Sequence, residues 1–255
     1  MLVDSHCHIP MLGQDIEVNE VIANAKALGV EHMLCVSVDL ETYPEILSLA
    51  EQYDCIYASV GVHPNTRMQE ELTQEELIQL ASNSHVVAIG ETGLDYFRSE
   101  GDLEWQRDRF RTHIRAAKSV NKPLIIHTRD VGEDITRILE EEGADGVGGV
   151  MHCFVGDWET AQKAMEMNFY ISFSGIVTFK NAKEVQEVAK QVPLGRMLVE
   201  TDSPYLTPVP YRGKPNQPGY TRYVAEFIAG LHGTSLECVA EQTTANFFKL
   251  FKINE

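Results

Sequence analysis

His6 and His8 stand at i and i+2, directly after the apolar start Leu2–Val3. On an extended strand alternate side chains share a face, so both imidazoles point one way and Cys7 the other. Two neutral imidazoles side by side are a ready pair of ligands for a divalent cation. The same placement recurs along the chain. Glu91 follows Val86–Gly90, His127 follows Pro123–Ile126, His152 follows Gly149–Met151, Asp202 follows Met197–Thr201, and His63 follows Ile56–Val62. Each puts a donor at the end of an apolar run. Four imidazoles and two carboxylates (His6, His8, Glu91, His127, His152 and Asp202) exceed what one tetrahedral ion needs and suit two ions sharing one carboxylate. Glu91, from a central run between the histidine groups, is the expected bridge. A pair of cations about 3.5–4 Å apart can polarise a substrate oxygen and activate a water. Asp202 is expected to bind one ion and to orient or deprotonate that water. His63 has no evident coordination slot and is expected to touch substrate or move a proton, which makes Glu91, Asp202 and His63 the candidate catalytic residues.

The elements that must position these groups alternate in kind. Short apolar runs at Leu2–Val3, Met33–Val38, Ile56–Val60, Val86–Ile89, Leu124–Ile126, Gly149–Met151, Phe169–Ile171 and Met197–Val199 are hydrophobic on both faces, as buried parallel strands are. Helical patterns lie between them. Val18, Val21, Ile22, Ala25 and Leu28 precede Gly29; Glu104 to Asn121 carries Trp105, Ile114 and Ala117; Ile135, Ile138 and Leu139 precede Gly143; Val185, Val188 and Val192 precede Pro193. Thr221 to Leu250 reads as helix apart from a break near Gly233. Eight strand-then-helix units with no linker predict one α/β domain over residues 1–255, a single (β/α)8 TIM-type barrel with the binuclear metal site at its C-terminal face. A doubly wound sheet would carry a Gly-rich turn after its first strand, where this chain has DSHCH. His32, His85, His113 and His232 precede strands or sit in helical patterns and read as structural or solvated.

Charge and cysteine usage narrow the setting. Twenty-one Lys plus Arg face 38 Asp plus Glu, a formal net charge of −17. That excludes a broad basic nucleic-acid-gripping face but leaves room for an enzyme that takes a strand end into a small cation-bearing site. The five cysteines are scattered with no CxxC, the start MLVDSHCH lacks a signal-peptide pattern, and no apolar run spans a membrane. A reducing, cytoplasmic location without membrane contact is expected.

The strings DSHCH (4–8), GVHP (61–64), IGETGLDY (89–96), PLIIHTRD (123–130), HCF (152–154), YISFSG (170–175) and ETDSPYL (200–206), taken in order, resemble the TatD-type metal-dependent deoxyribonucleases of the amidohydrolase-like superfamily. The resemblance runs from the first residues to beyond Asn216. It implies exonucleolytic cleavage of DNA phosphodiesters, with single-strand ends as the partner and RNA as a further one, and no obligate protein partner. It implies two divalent cations, Mg2+ or Mn2+ with Zn2+ also compatible, on His6, His8, Glu91, His127, His152 and Asp202, the set reached from strand ends. Pro10 departs from the acidic or amide residue usual after HxH, and Val131 from a small residue. Substrate contacts are expected from Arg129, whose planar fork matches a phosphate unless it pairs with Asp130 or Asp95, and from Tyr205 beside the 212–218 loop. Glu200, two residues before Asp202, is placed to orient a ligand. The alternative reading is a hydrolase of the same superfamily acting on a small lactone, ester or amide, or on an aminoacyl-tRNA ester. A barrel without activity would show a broken donor set, and none of the six is missing.

Overall fold

The computed structural model describes residues 1–13 and 16–253. Eight strands, β1 (Leu2–Cys7), β2 (Val30–Cys35), β3 (Ile56–Val60), β4 (Val86–Asp95), β5 (Leu124–Arg129), β6 (Gly149–Met151), β7 (Phe169–Phe173) and β8 (Met197–Val199), pair in parallel in sequence order. Helices alternate with them: α1 (Val18–Ala27), α2 (Tyr43–Gln52), α3 (Gln74–Ala81), α4 (Glu104–Val120), α5 (Asp134–Glu141), α6 (Trp158–Glu166), α7 (Lys183–Gln191), α8 (Thr221–His232) and α9 (Leu236–Phe251). This is the expected barrel.

Period-2 alternation sorts the apolar residues into two clusters. Met33, Cys35, Leu124, Ile126, Phe169, Ile171, Met197 and Val199 pack outward among helix residues such as Ile22, Phe110, Ile138 and Val188. Their neighbours Val3, Leu34, Ala88, Ile125, Val150, Tyr170 and Leu198 pack instead with Phe247, Phe248, Leu250 and Phe251 of α9. The inward set is therefore closed at one end by the aromatic residues of α9, and the opposite end, where the strands finish, is left for polar groups.

Caps fix the helix limits. Thr73 and Glu76 form a reciprocal capping box at the start of α3, while Asn121 and Gly233 end α4 and α8 in left-handed conformation. Five strands differ in extent from the apolar runs: β1 continues past Val3 to Cys7 and β7 past Ile171 to Phe173. β2 begins at Val30 and ends at Cys35, and β4 and β5 continue past their apolar runs to Asp95 and Arg129, so Glu91 and His127 lie within strands and not at their ends. The extension of β4 depends on Gly93, at φ 133°, whose missing side chain lets its backbone lie against the His127 carbonyl.

Closure of the barrel falls between β8 and β1. The Thr201 amide donates to Asp4 Oδ1 at 2.8 Å and the Thr201 hydroxyl to Asp4 Oδ2 at 2.5 Å. The Asp202 amide donates to the His6 carbonyl and the His8 amide to the Ser203 carbonyl, each at 2.9 Å. The Ser5 hydroxyl donates to the Val199 carbonyl at 3.0 Å. No helix of the described residues is long and apolar enough to cross a membrane.

Candidate metal centre

Glu91 lies at a register irregularity between Ile89 and Thr92, where β4 shifts against β5. Its carboxylate is 2 % exposed at residue level and lies among five imidazoles. Oε2 is 3.3 Å from His6 Nε2 and 3.9 Å from His8 Nε2. Oε1 is 2.9 Å from His127 Nδ1, 3.0 Å from His152 Nε2 and 3.4 Å from His63 Nε2. Asp202 Oδ1 completes one side, 3.4 Å from His8 Nε2 and 3.7 Å from His6 Nε2. The backbone of Asp202 turns at φ 56°, and its amide bond to the His6 carbonyl holds it there. All seven residues expected at the site from sequence, His63 included, thus meet at one end of the barrel.

The outer partners of the rings decide which nitrogen faces inward. His8 Nδ1 bonds the Val36 carbonyl at 3.0 Å, His152 Nδ1 bonds Glu200 Oε1 at 3.1 Å, and His127 Nε2 bonds Asp95 Oδ2 at 3.2 Å. Each acceptor takes an N–H, which leaves the other nitrogen of each ring as a lone pair aimed at Glu91 or Asp202. His6 Nε2 and His8 Nε2 stand 3.2 Å apart, and three groups of donors (His6, His8, Glu91; His6, His152, Asp202; His63, Glu91, His127) each converge with ligand atoms within 4.8 Å of one another. Lone pairs and carboxylates this close repel unless a cation or proton lies among them, so the donor set fits divalent cations. His63 differs: its Nδ1 accepts the Asn65 amide at 3.0 Å, so its Nε2 carries the hydrogen and presents a donor to the centre.

Charge coupling follows the geometry. Burial would push the Glu91 carboxyl up, but the His152 and His63 imidazoles hold it well below the usual carboxylate range. Burial opposes protonation of His152, and Glu91 with Glu200 overcomes it and raises the ring. Asp202 resists the upward push of burial through its bond to His8 and stays low. His63, with burial dominant, falls to about 4.

Several supporting residues come from the structure. Asp95 orients His127 while accepting Asn65 Nδ2 at 2.7 Å and the Arg98 amide at 3.0 Å. Glu91 and Asp95 are four apart on one strand and share a face, a signal legible from spacing alone. Asp4, two before His6, ties the first strand to Thr201. Glu200 takes the orienting place expected for it. Arg129 pairs with neither Asp130 nor Asp95 among the described ion pairs; its guanidinium lies 4.0 Å from the ring centre of Phe97, which is 60 % exposed. Tyr205, 55 % exposed, lies beyond the donors with its hydroxyl 3.9 Å from Met11 Sδ. Of the four histidines read as structural, His113 is fully enclosed, accepting the Val62 amide at 3.1 Å and bonding the Arg109 carbonyl at 2.8 Å.

Barrel and donor cluster together define a metal-dependent hydrolase. The family model described as TatD related DNase matches residues 3–252. The chain is 48% identical over 257 residues to the uncharacterized metal-dependent hydrolase YabD of Bacillus subtilis, covering 100% of each. It is 33% identical over 242 residues to the 3'-5' ssDNA/RNA exonuclease TatD of Escherichia fergusonii, covering 92% of this chain and 93% of that one. Among solved structures, YJJV, a TatD homolog from Escherichia coli K12, superposes with a TM-score of 0.92 at 26% identity, covering 99% of this chain and 98% of the other. The chain belongs to the TatD-related DNase family.

Proposed function

We propose that the protein is a two-metal exonuclease that hydrolyses phosphodiester bonds at single-strand DNA ends, with RNA as a second substrate. The observation that carries this reading is the split of the Glu91 carboxylate, one oxygen toward His6 and His8 and the other toward His127 and His152. In this reading His6, His8 and Asp202 would hold one cation and His127 and His152 the other, with the Glu91 carboxylate shared between the two groups of donors. Divalent cations bound there, Mg2+ or Mn2+ with Zn2+ also suited to the imidazoles, supply Lewis acidity toward a phosphoryl oxygen and lower the pKa of an attacking water. Asp202, partly open to solvent, orients that water and accepts its proton. His63 donates its Nε2 hydrogen toward a non-bridging or leaving oxygen. Arg129 would supply a guanidinium fork for phosphate and Tyr205 an exposed ring for a base.

The five cysteines are unpaired, which supports the reading of a reducing, cytoplasmic setting. The net charge of −17 favours a second reading, a hydrolase of neutral lactones, esters or amides; a related version acts on an aminoacyl-tRNA ester. Incubation with 3'- and 5'-labelled single strands in Mg2+ or Mn2+, beside a lactone and ester panel, decides between them. Stepwise shortening from one end supports the exonuclease; intact strands with turnover confined to the panel replace it.

A further inference from the structure

The segments that follow β1 to β6 at the site end of the barrel all contain acids: Glu17, Asp39 and Glu41, Glu70 and Glu71, Glu100 and Asp102, Asp130 and Glu133, and Asp157. That of β7 contains none, and that of β8 has only Glu200 and Asp202, both at the donor cluster itself. No Asp or Glu occurs from Met167 to Lys183, nor from Ser203 to Ala225. Within these stretches Lys180, Arg212 and Lys214 are exposed, and no ion pair among the described residues involves them.

The two loops form one surface. The Val209 amide donates to Thr178 Oγ1 at 2.9 Å, and Gly175 lies against the Leu206 carbonyl and Pro208, too close for a side chain. Arg212 stacks on Phe179 with 3.7 Å to the ring centre, which leaves the N–H edges of its guanidinium free. The Thr207 hydroxyl donates to the Lys214 carbonyl at 2.6 Å. Asn216 Nδ2 donates to the Thr201 and Tyr205 carbonyls at 2.9 and 2.5 Å, so the loop that bears Arg212 and Lys214 is tied to the segment bearing Asp202.

We propose that this surface is the track for a polynucleotide strand, with Lys180, Arg212 and Lys214 meeting successive phosphates of the strand whose end occupies the donor cluster. The proposal rests on the nuclease reading. On a molecule of net charge −17, a polyanion approaching the mouth from the β2 to β6 side meets carboxylates; the β7 to β8 side is the approach without them. The stacked guanidinium offers two N–H groups to one phosphate without an acid to compete.

The test is the salt dependence of kcat/KM for a 5'-labelled single-stranded oligonucleotide. In the K180A/R212A/K214A variant, KM is expected to rise about tenfold or more. The slope of log kcat/KM against log salt is expected to become shallower by about 2, roughly 0.7 for each phosphate that the variant leaves unneutralised. Val209→Glu, which adds one charge to the exposed centre of the surface, is expected to raise KM while leaving the three cations in place. Lys190→Ala, on the outer face of α7 and paired with Glu187, is the control and keeps the wild-type slope. An active wild type with unchanged KM and slope in both the triple variant and Val209→Glu overturns the track and leaves the nuclease reading standing. A wild type that hydrolyses bis(p-nitrophenyl) phosphate but no oligonucleotide overturns the nuclease reading itself.

Discussion

Glu200 Oε1 lies 3.1 Å from His152 Nδ1 and 2.8 Å from the Cys153 amide, so one carboxylate oxygen fixes both the ring and the backbone at the end of β6. Glu200→Ala removes both bonds from a fully buried site. Activity is expected to fall about 10–100-fold, with the metal concentration for half-maximal rate displaced upward. Glu200→Gln, which keeps an acceptor oxygen, should recover part of the loss. An alanine variant with the wild-type metal titration would remove Glu200 from the support of His152.

Glu91 is the group on which both halves of the centre depend. Replacing it with Gln keeps the volume and removes the charge shared by five imidazoles. The expected loss is several kcal/mol of transition-state stabilisation, at least about a thousandfold in kcat/KM, together with reduced metal content by atomic emission. Two equivalents of metal and full turnover in Glu91→Gln would end its bridging role.

Removing the cations should destabilise the fold as well as stop catalysis. With divalent ion at a hundredfold its Kd, binding to the native state adds about 2.7 kcal/mol. Chelation is then expected to lower Tm by roughly 5–10 °C for a chain of this size, reversibly on adding Mn2+. Identical melting curves with and without chelator would contradict a preformed metal site.

His113 sets a pH dependence of its own. Burial pushes its imidazole down to about 4 from an ordinary value of 6.5. The unfolded chain therefore binds more protons than the folded one between those values, and stability is present above 6.5 and lost as pH falls toward 4. Between pH 7 and pH 5 the loss from this group is about 2 kcal/mol. Urea midpoints of the chelated protein at the two pH values measure it, and His113→Gln should flatten the difference.

Gly93→Ala places a methyl group against the His127 carbonyl at a backbone angle that side chains avoid. A loss of roughly 2–4 kcal/mol is expected, with reduced activity in the fraction that folds, since β5 must retreat and carry His127 with it. An alanine variant with wild-type Tm would show that the two strands have slack.

The strand count was legible because parallel strands buried on both faces write themselves as apolar runs such as Leu124–Ile126. Where they stop was not. β4 carries on through Glu91 to Asp95 because Gly93 can lie against a neighbouring carbonyl, and nothing local announces that neighbour. The buried face of α6 rests on Ala161 and Ala164, too small to print a helical stripe. The donors were legible from their types directly after apolar runs, although Glu91 and His127 prove to lie inside longer strands, and Asp95 from its even spacing with Glu91. Asp4 was not, because its partner Thr201 lies 197 residues away.

The seam between β8 and β1 also orders events during synthesis. His6 and His8, on and just after β1, are made before every other donor, yet their ring of partners waits for Asp202, which follows β8. A nascent chain halted before β8 holds all five imidazoles but lacks Asp202 and the Glu200 acceptor that orients His152, so the donor set is complete only once β8 and the residues after it are made.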